Sequence, residues 1–305
     1  MRQPAVAGRF YPAGEEALRE AVRDAFLSPL ASGLPSGTGS SRRIRGAMAP
    51  HAGISISGPN TANVFRRIAE DGLPEAYVIV GPDHHGMAYL NTYSSEAFLT
   101  PMGACGVHEG IADRLSYMMP DVPEAQAYEH AVEVLLPFIQ YIDPHPRIVP
   151  IMMSDQSPKA AQEMAGMLRR ACEGYDALFI ASTDMSHYIP RPEAARLDGM
   201  VLDRVAAMDW RGVYSTVRDY RMTMCGYGPT ATVMMLCEGC RAEGVKHTDS
   251  YDTLGRDPGS VVGYGTAVFT ERAPARQAPC AAPACRGAPS GPVHVQVGLP
   301  GVLSG

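Results

Sequence analysis

The chain has 305 residues, 46% of them hydrophobic, enough to bury one large core or two modest ones. Its 26 basic and 32 acidic residues leave a formal charge of −6 with no basic block, which argues against nucleic acid as a partner. Seven cysteines, an odd number, fit reduced thiols in a cytoplasm, and neither a signal peptide at Met1-Arg2-Gln3-Pro4 nor a membrane-length apolar run is present.

In chain order, Glu15 to Leu27 is amphipathic, and Ser28 to Ser41, rich in Ser, Gly and Pro, reads as a loop. Arg45 to Ala49 reads as a strand, followed by a helix from about Asn60 to Glu70, then a strand at Tyr77 to Val80. Leu90 to Leu99 alternates weakly and predicts a hairpin outside the main sheet. Glu129 to Ile142 has helical spacing that Pro137 should kink or shorten. A strand at Arg147 to Met153, a helix at Lys159 to Cys172, a strand at Leu178 to Ala181 and a helix from Glu193 to Met208 follow. Pro229 is placed as the first residue of a helix running to about Cys240. Lys246 to Thr253 and Ser260 to Thr270 read as closing strands. The alternation predicts a single α/β domain over residues 1–272, a central, mostly parallel sheet with helices on both faces. From Ala273 the Ala, Pro and Gly content predicts a disordered tail over 273–305.

A histidine recurs just past short apolar runs. The instances are Ala-Met-Ala-Pro-His51-Ala-Gly, Val-Ile-Val-Gly-Pro-Asp-His84-His85-Gly and Phe-Ile-Ala-Ser-Thr-Asp-Met-Ser-His187. Side chains beyond strand ends in an α/β sheet converge on the crevice where such folds bind ligands. Met-Thr-Met-Cys225-Gly-Tyr-Gly-Pro supplies a thiol in a similar setting. A lone histidine after a strand is more often structural, and a lone cysteine an inert buried thiol, so the joint placement carries the argument. Two imidazoles and an anion on an open face form a metal site of the two-His-one-carboxylate kind. The expected ligands are therefore His51, His84 and Cys225, with His187 free to move protons and oriented by Asp184. Glu129, His130 and Glu133 read either as groups that hold the ligands in place or as a polar helix start. His85 and Asp83 flank His84 and shape its turn.

Other motifs fail. His108-Glu109 lacks the second His of a zincin helix, because position 112 is Ala. Gly226-Tyr-Gly228-Pro-Thr-Ala231 has dinucleotide-loop spacing without a strand–loop–helix unit around it. Cys237-Glu-Gly-Cys240 has no second Cys or His pair and reads as small core-facing side chains on a helix.

At these residues the sequence closely resembles the Memo family, whose microbial members are called AmmeMemoRadiSam system protein B. The resemblance runs from Arg2-Gln-Pro-Ala-Val-Ala-Gly-Arg-Phe-Tyr-Pro12 to about Thr270. It includes Ala49-Pro-His-Ala-Gly53, Gly81-Pro-Asp-His-His85, Glu129-His-Ala-Val-Glu133, Ser182-Thr-Asp-Met-Ser-His187 and Cys225-Gly-Tyr-Gly-Pro229. It implies a fold similar to class III extradiol dioxygenases, which open catechol rings with non-haem Fe(II). In that frame His51 and His84 match iron-binding histidines, Cys225 stands where those enzymes have a carboxylate, and His187 matches their base. Iron is the expected cofactor, and the softer thiolate widens the choice to copper or zinc. The family departs here at Leu135, where Gln or His is common, so no hydrogen bond is expected from that position. The resemblance also implies a small-molecule substrate and partners of the radical-SAM and AMMECR-like kinds. Two functions follow: an oxygen-dependent enzyme acting on a catechol or related diol, or a non-catalytic metal-binding or protein-binding module working with the radical-SAM partner.

Overall fold

A computed structural model describes residues 1–272; the tail expected over 273–305 lies outside the described residues. Among the described residues the order begins α1 (Glu15–Leu27), β1 (Ile44–Ala49), α2 (Ile54–Asp71), β2 (Ala76–Pro82), β3 (Thr92–Tyr93), β4 (Phe98–Thr100), β5 (Gly103–Val107), α3 (Glu109–Leu115) and α4 (Pro123–Gln126). A 3-10 turn at Glu133–Leu135 leads into α5 (Leu136–Ile142), β6 (Arg147–Met153), α6 (Pro158–Ala171), β7 (Ala177–Ser182) and β8 (His187–Ile189). The order closes with α7 (Arg191–Ala206), α8 (Trp210–Asp219), α9 (Tyr227–Leu236), β9 (Arg241–Asp249), α10 (Ser250–Leu254) and β10 (Val261–Thr270).

The fold is α/β. One sheet runs β4-β5-β6-β2-β7-β1-β10-β8, with β3 added to β6 and β9 to β10. Its centre, β6-β2-β7-β1, is parallel, and β10 closes it antiparallel to β1. Every residue of β2 is buried, as expected of a central strand covered on both faces. Alternate residues serve opposite cores: Ala47, Ala49, Tyr77, Ile79, Leu178 and Ile180 pack with α1, α2 and α5, whereas Met48, Val78, Val80 and Ala181 pack with α6, α7 and α9.

Several boundaries differ from the sequence reading. The predicted outlying hairpin belongs to the main sheet, because β5 pairs with β6 only at Arg147 and Ile148 and leaves the edge at Ile151 and Met152 for β3. The helix after His51 starts at Ile54 rather than Asn60 and carries Pro59 in its second turn. Pro137 falls in the first turn of α5, so the helical pattern after Glu129 is shortened to its second half. The strand expected to reach Thr253 stops at Asp249, whose side chain caps α10 in a reciprocal box with Asp252. The helix α8 was not foreseen.

No helix among the described residues is long and apolar enough to cross a membrane.

Candidate metal centre

The three central strands deliver the site by register. Ala49 of β1 pairs with Ser182 of β7, and β2 flanks β7 on the other side. His51, His84 and Asp184 each lie two residues beyond the end of their strand. Cys225 arrives from the turn before α9, and Gly226 makes that approach feasible: a Cβ there would come within 2.6 Å of the Ser182 carbonyl oxygen and of Thr183 Cβ. Gly81 does the same under the 129–131 segment, where a Cβ would meet Ala131 Cβ at 2.8 Å.

One ligand atom from each of His51, His84 and Cys225 lies within 4.8 Å of the others. His51 Nε2 is 3.3 Å from Cys225 Sγ. Nitrogen and sulfur ligands at roughly 2.0–2.1 Å and 2.3 Å on a tetrahedral metal would stand about 3.5 Å apart, close to the His51–Cys225 separation. Two imidazoles and a thiolate make a borderline-to-soft set.

Hydrogen bonds fix each ring. Ser182 Oγ donates to the Ala131 carbonyl (2.6 Å) and therefore accepts from His51 Nδ1 (2.8 Å), leaving His51 Nε2 with its lone pair toward the sulfur. Glu129 can only accept from His84 Nδ1 (2.9 Å), which leaves His84 Nε2 as the free nitrogen. The carboxylate also accepts the backbone N–H groups of His84, His130 and Ala131. His187 Nδ1 donates to the Thr223 carbonyl (2.9 Å), so its Nε2 is likewise free. Thr223 lies two residues before Cys225, so one turn both carries the thiol and aims His187.

The electrostatics follow from depth. His51 is 1% exposed, and burial, reinforced by the His84 and His130 rings, holds its imidazolium form far below the usual range. Burial also opposes charge on His84, but the Glu129 hydrogen bond and charge outweigh it and raise His84 above 6.5. Glu129 is held well below the usual carboxylate range by His84 despite its burial. Burial pushes the Cys225 thiol up, and the Asp184 charge adds to this. His130 stacks on His84 at 4.5 Å between ring centroids, and burial lowers it to about 4.

Asp184 is not where the sequence reading put it. Its carboxylate accepts from the His51 backbone N–H (2.9 Å), and its own N–H points at Cys225 Sγ (3.1 Å). It is 4% exposed and turned inward, raised to about 6 by burial, while His187 stands three residues further at the head of β8 and is held by Thr223 instead. Asp184 thus orients the His51 turn and the sulfur. Glu133 is fully buried but reaches none of the ligands: Arg2, Tyr11 and the Ala5 and Val6 N–H groups all bond to it. Arg2 also bonds the Glu129 and Gln126 carbonyls, and Phe10 then meets His130 edge-on at 4.8 Å. So Glu133 clamps the N-terminal segment against the site. His85 is exposed, and Asp83 shapes the His84 turn by accepting from the N–H groups of His85, Gly86, Met87 and Ala88. A second set, His84, Glu129 and His130, also has ligand-capable atoms within 4.8 Å, but Glu129 there is already saturated by N–H donors.

Sequence reasoning missed Ser182 and Thr223. Ser182 stands in the quoted Ser182-Thr-Asp-Met-Ser-His187 run, and the signal available was its place at the end of β7, beside the strand carrying His51. Thr223 holds the His187 ring through its backbone carbonyl and the His187 N–H through its hydroxyl, and a lone threonine remote in sequence gives no signal of either.

The family model described as Memo-like protein matches residues 2–268. A MEMO1 family protein of Methanopyrus kandleri is 37% identical over 279 residues, covering 88% of this chain and 98% of the relative. One from Methanothermobacter thermautotrophicus is 37% identical over 273 residues, covering 87% and 98%. One from Sulfurisphaera tokodaii is 35% identical over 277 residues, covering 87% and 97%.

Proposed function

The chain belongs to the Memo-like protein family, and from that premise we propose that its strand-end cleft is a mononuclear metal centre that oxidises a catechol-like small molecule. The observation that supports this reading is the matched locking of three imidazoles at Nδ1, by Ser182, Glu129 and Thr223, which leaves Nε2 free on each, with His51 and His84 grouped around the Cys225 sulfur. His51, His84 and Cys225 would hold the ion, iron in the first instance with copper or zinc as alternatives. A metal bound there would supply a template and electron conduit between a chelating diol and dioxygen.

The protein's own part is positional. His187 Nε2, free and half-buried at the cleft, takes a hydroxyl proton from the bound diol. Phe10, His130 and His84 form a continuous row of ring contacts beside the ligands, a surface on which a flat ring could stack. Loading the protein with Fe(II) and following dioxygen consumption across a panel of catechols tests the reading. Tight metal binding with no oxygen uptake on any diol would replace it with a metal-handling or partner-binding role, which the saturated Glu129 and raised Cys225 thiol would serve equally well.

A further inference from the structure

The helix α9 has a thiol beyond each end, and the second belongs to a pair. Cys237 caps the helix, its N–H reaching the Val233 carbonyl at 3.0 Å, and the Cys240 N–H reaches the Cys237 carbonyl at 3.0 Å. Gly239 between them has φ +86, the left-handed conformation that lets the chain reverse. A four-residue turn of this kind keeps its outer Cα atoms within about 7 Å, overlapping the roughly 4.4–6.8 Å that a disulfide spans. The Cys240 N–H to Cys237 carbonyl bond and the left-handed Gly239 place the two cysteines at the two ends of one tight turn. Cys237 is 1% exposed and packs against Gly46 of β1, where a Cβ would come within 2.5 Å of its sulfur. Cys240 is the more exposed of the two, at 7%.

The other buried thiols behave differently. Burial pushes Cys105 and Cys172 up to about 12. Cys240 is shifted down by the neighbouring Cys237 against the effect of burial, while Cys237 is shifted far up by its own burial. The two shifts run in opposite directions, so within the pair ionisation favours Cys240. The turn itself, through Glu238 and Gly239, borders a groove of about 540 Å³ that Trp210, Met235 and Arg169 also line.

We propose that Cys237 and Cys240 form a redox-active dithiol that exchanges with low-molecular-weight disulfides, independently of the metal residues. The Cys240 thiolate attacks one sulfur of the reagent; the reagent's S–S bond breaks, and the first thiolate leaves and takes a proton from solvent. Cys237 then gives its proton to solvent and attacks the Cys240 sulfur, releasing the second thiolate, which is protonated in turn. Two protein thiols are oxidised to one disulfide, and the reagent is reduced to two thiols.

The test uses the full-length chain with Cys225, Cys280 and Cys285 replaced by Ser, incubated reduced with oxidised glutathione, then alkylated and weighed intact. The expected result is the loss of two alkylatable thiols with no glutathione retained, and peptide fragmentation placing the bond between Cys237 and Cys240. Adding Cys237→Ala should stop the reaction at one glutathione per chain, on Cys240, and adding Cys240→Ala should abolish both outcomes. The fragmentation result decides the matter even if a variant fails to fold. Four alkylatable thiols surviving in the folded background, or oxidation persisting in Cys240→Ala, overturns the proposal.

Discussion

His51 Nε2 and Cys225 Sγ lie 3.3 Å apart although 174 residues separate them in the chain. Neither atom has freedom to move away: Ser182 and the Asp184 carboxylate fix the histidine, and the Asp184 N–H points at the sulfur. The pair is pre-organised by the fold, so for an ion bound as proposed the cost of assembling these two groups would already be met by folding.

Replacing the thiol should separate ligand from scaffold. Cys225→Ser is expected to fold normally and to lose more affinity than the roughly 10–100-fold that removal of an outer hydrogen-bond partner costs. Cys225→Asp should recover Fe(II) binding in preference to Cu(I), because a hard donor replaces a soft one. Competition titrations with both ions check this, and wild-type affinity in Cys225→Ser would remove the thiol from the ligand set.

Metal uptake should release protons. The Cys225 thiol is raised by burial and must ionise to bind, whereas His51 is held neutral and contributes none. Release should be about one proton per ion in mildly alkaline buffer. It should rise toward two as pH falls to the 6.5 of a free imidazole and below, because His84 is raised above that value. Calorimetry in buffers of different ionisation enthalpy reads this directly; zero protons released at pH 8 would contradict it.

The Glu129–His84 pair should set part of the pH profile of stability in the metal-free protein. Glu129 is depressed, so its contribution is complete above the ordinary carboxylate value of 4.5 and is lost as pH falls through its lower folded value. His84 is raised, so its contribution is complete below 6.5 and is lost as pH rises through its higher folded value. The Glu129→Gln variant should flatten both limbs in urea unfolding across pH and lose about 1–3 kcal/mol at neutrality, because an amide NH2 would face N–H donors. An unchanged profile would show that the pair is neutral in the folded protein.

His187→Ala should keep its metal and lose roughly two to four orders of magnitude in any diol-dependent oxygen consumption. Its Nδ1 is engaged by a carbonyl, and the role proposed for it is to accept a proton at Nε2. Metal loss in this variant would make His187 a ligand.

Glu133→Ala should be the most destabilising of these changes. It would leave the Arg2 guanidinium, which is 4% exposed, without its carboxylate and would free the Ala5 and Val6 N–H groups. A loss of about 3–5 kcal/mol is expected for a broken buried pair, read by urea unfolding. A loss under about 1 kcal/mol would mean that water replaces the carboxylate.

The legible part of the fold was the part that period and termination govern. Tyr77 to Val80 and Leu178 to Ala181 announce themselves as buried strands, and His51 and His84 follow from what strand ends do in such sheets. What stayed hidden depends on partners remote in sequence. The short β3 exists because β6 has a vacant edge, and α8 has no strong termination signal ahead of it beyond Asp209. Asp184 was assigned to His187 by nearness in the chain, yet its carboxylate crosses to a residue 133 positions earlier. Glu133 looked like part of the site because it sits one helical turn from Glu129, and only the fold shows it gripping Arg2 and Tyr11.

The placement of β7 between β1 and β2 also orders the events by which the chain matures. Parallel neighbours cannot form as hairpins, so both pairings wait on long loop closures, the slow class of contact in folding. Cys225 can dock only after β7 is seated, since Gly226 packs on Ser182 and Thr183. Capture of an ion at the proposed centre would therefore be a late event that seals a finished structure and does not template it, and nascent chains should emerge from synthesis with the sulfur still open to oxidation until the last third of the chain has folded back.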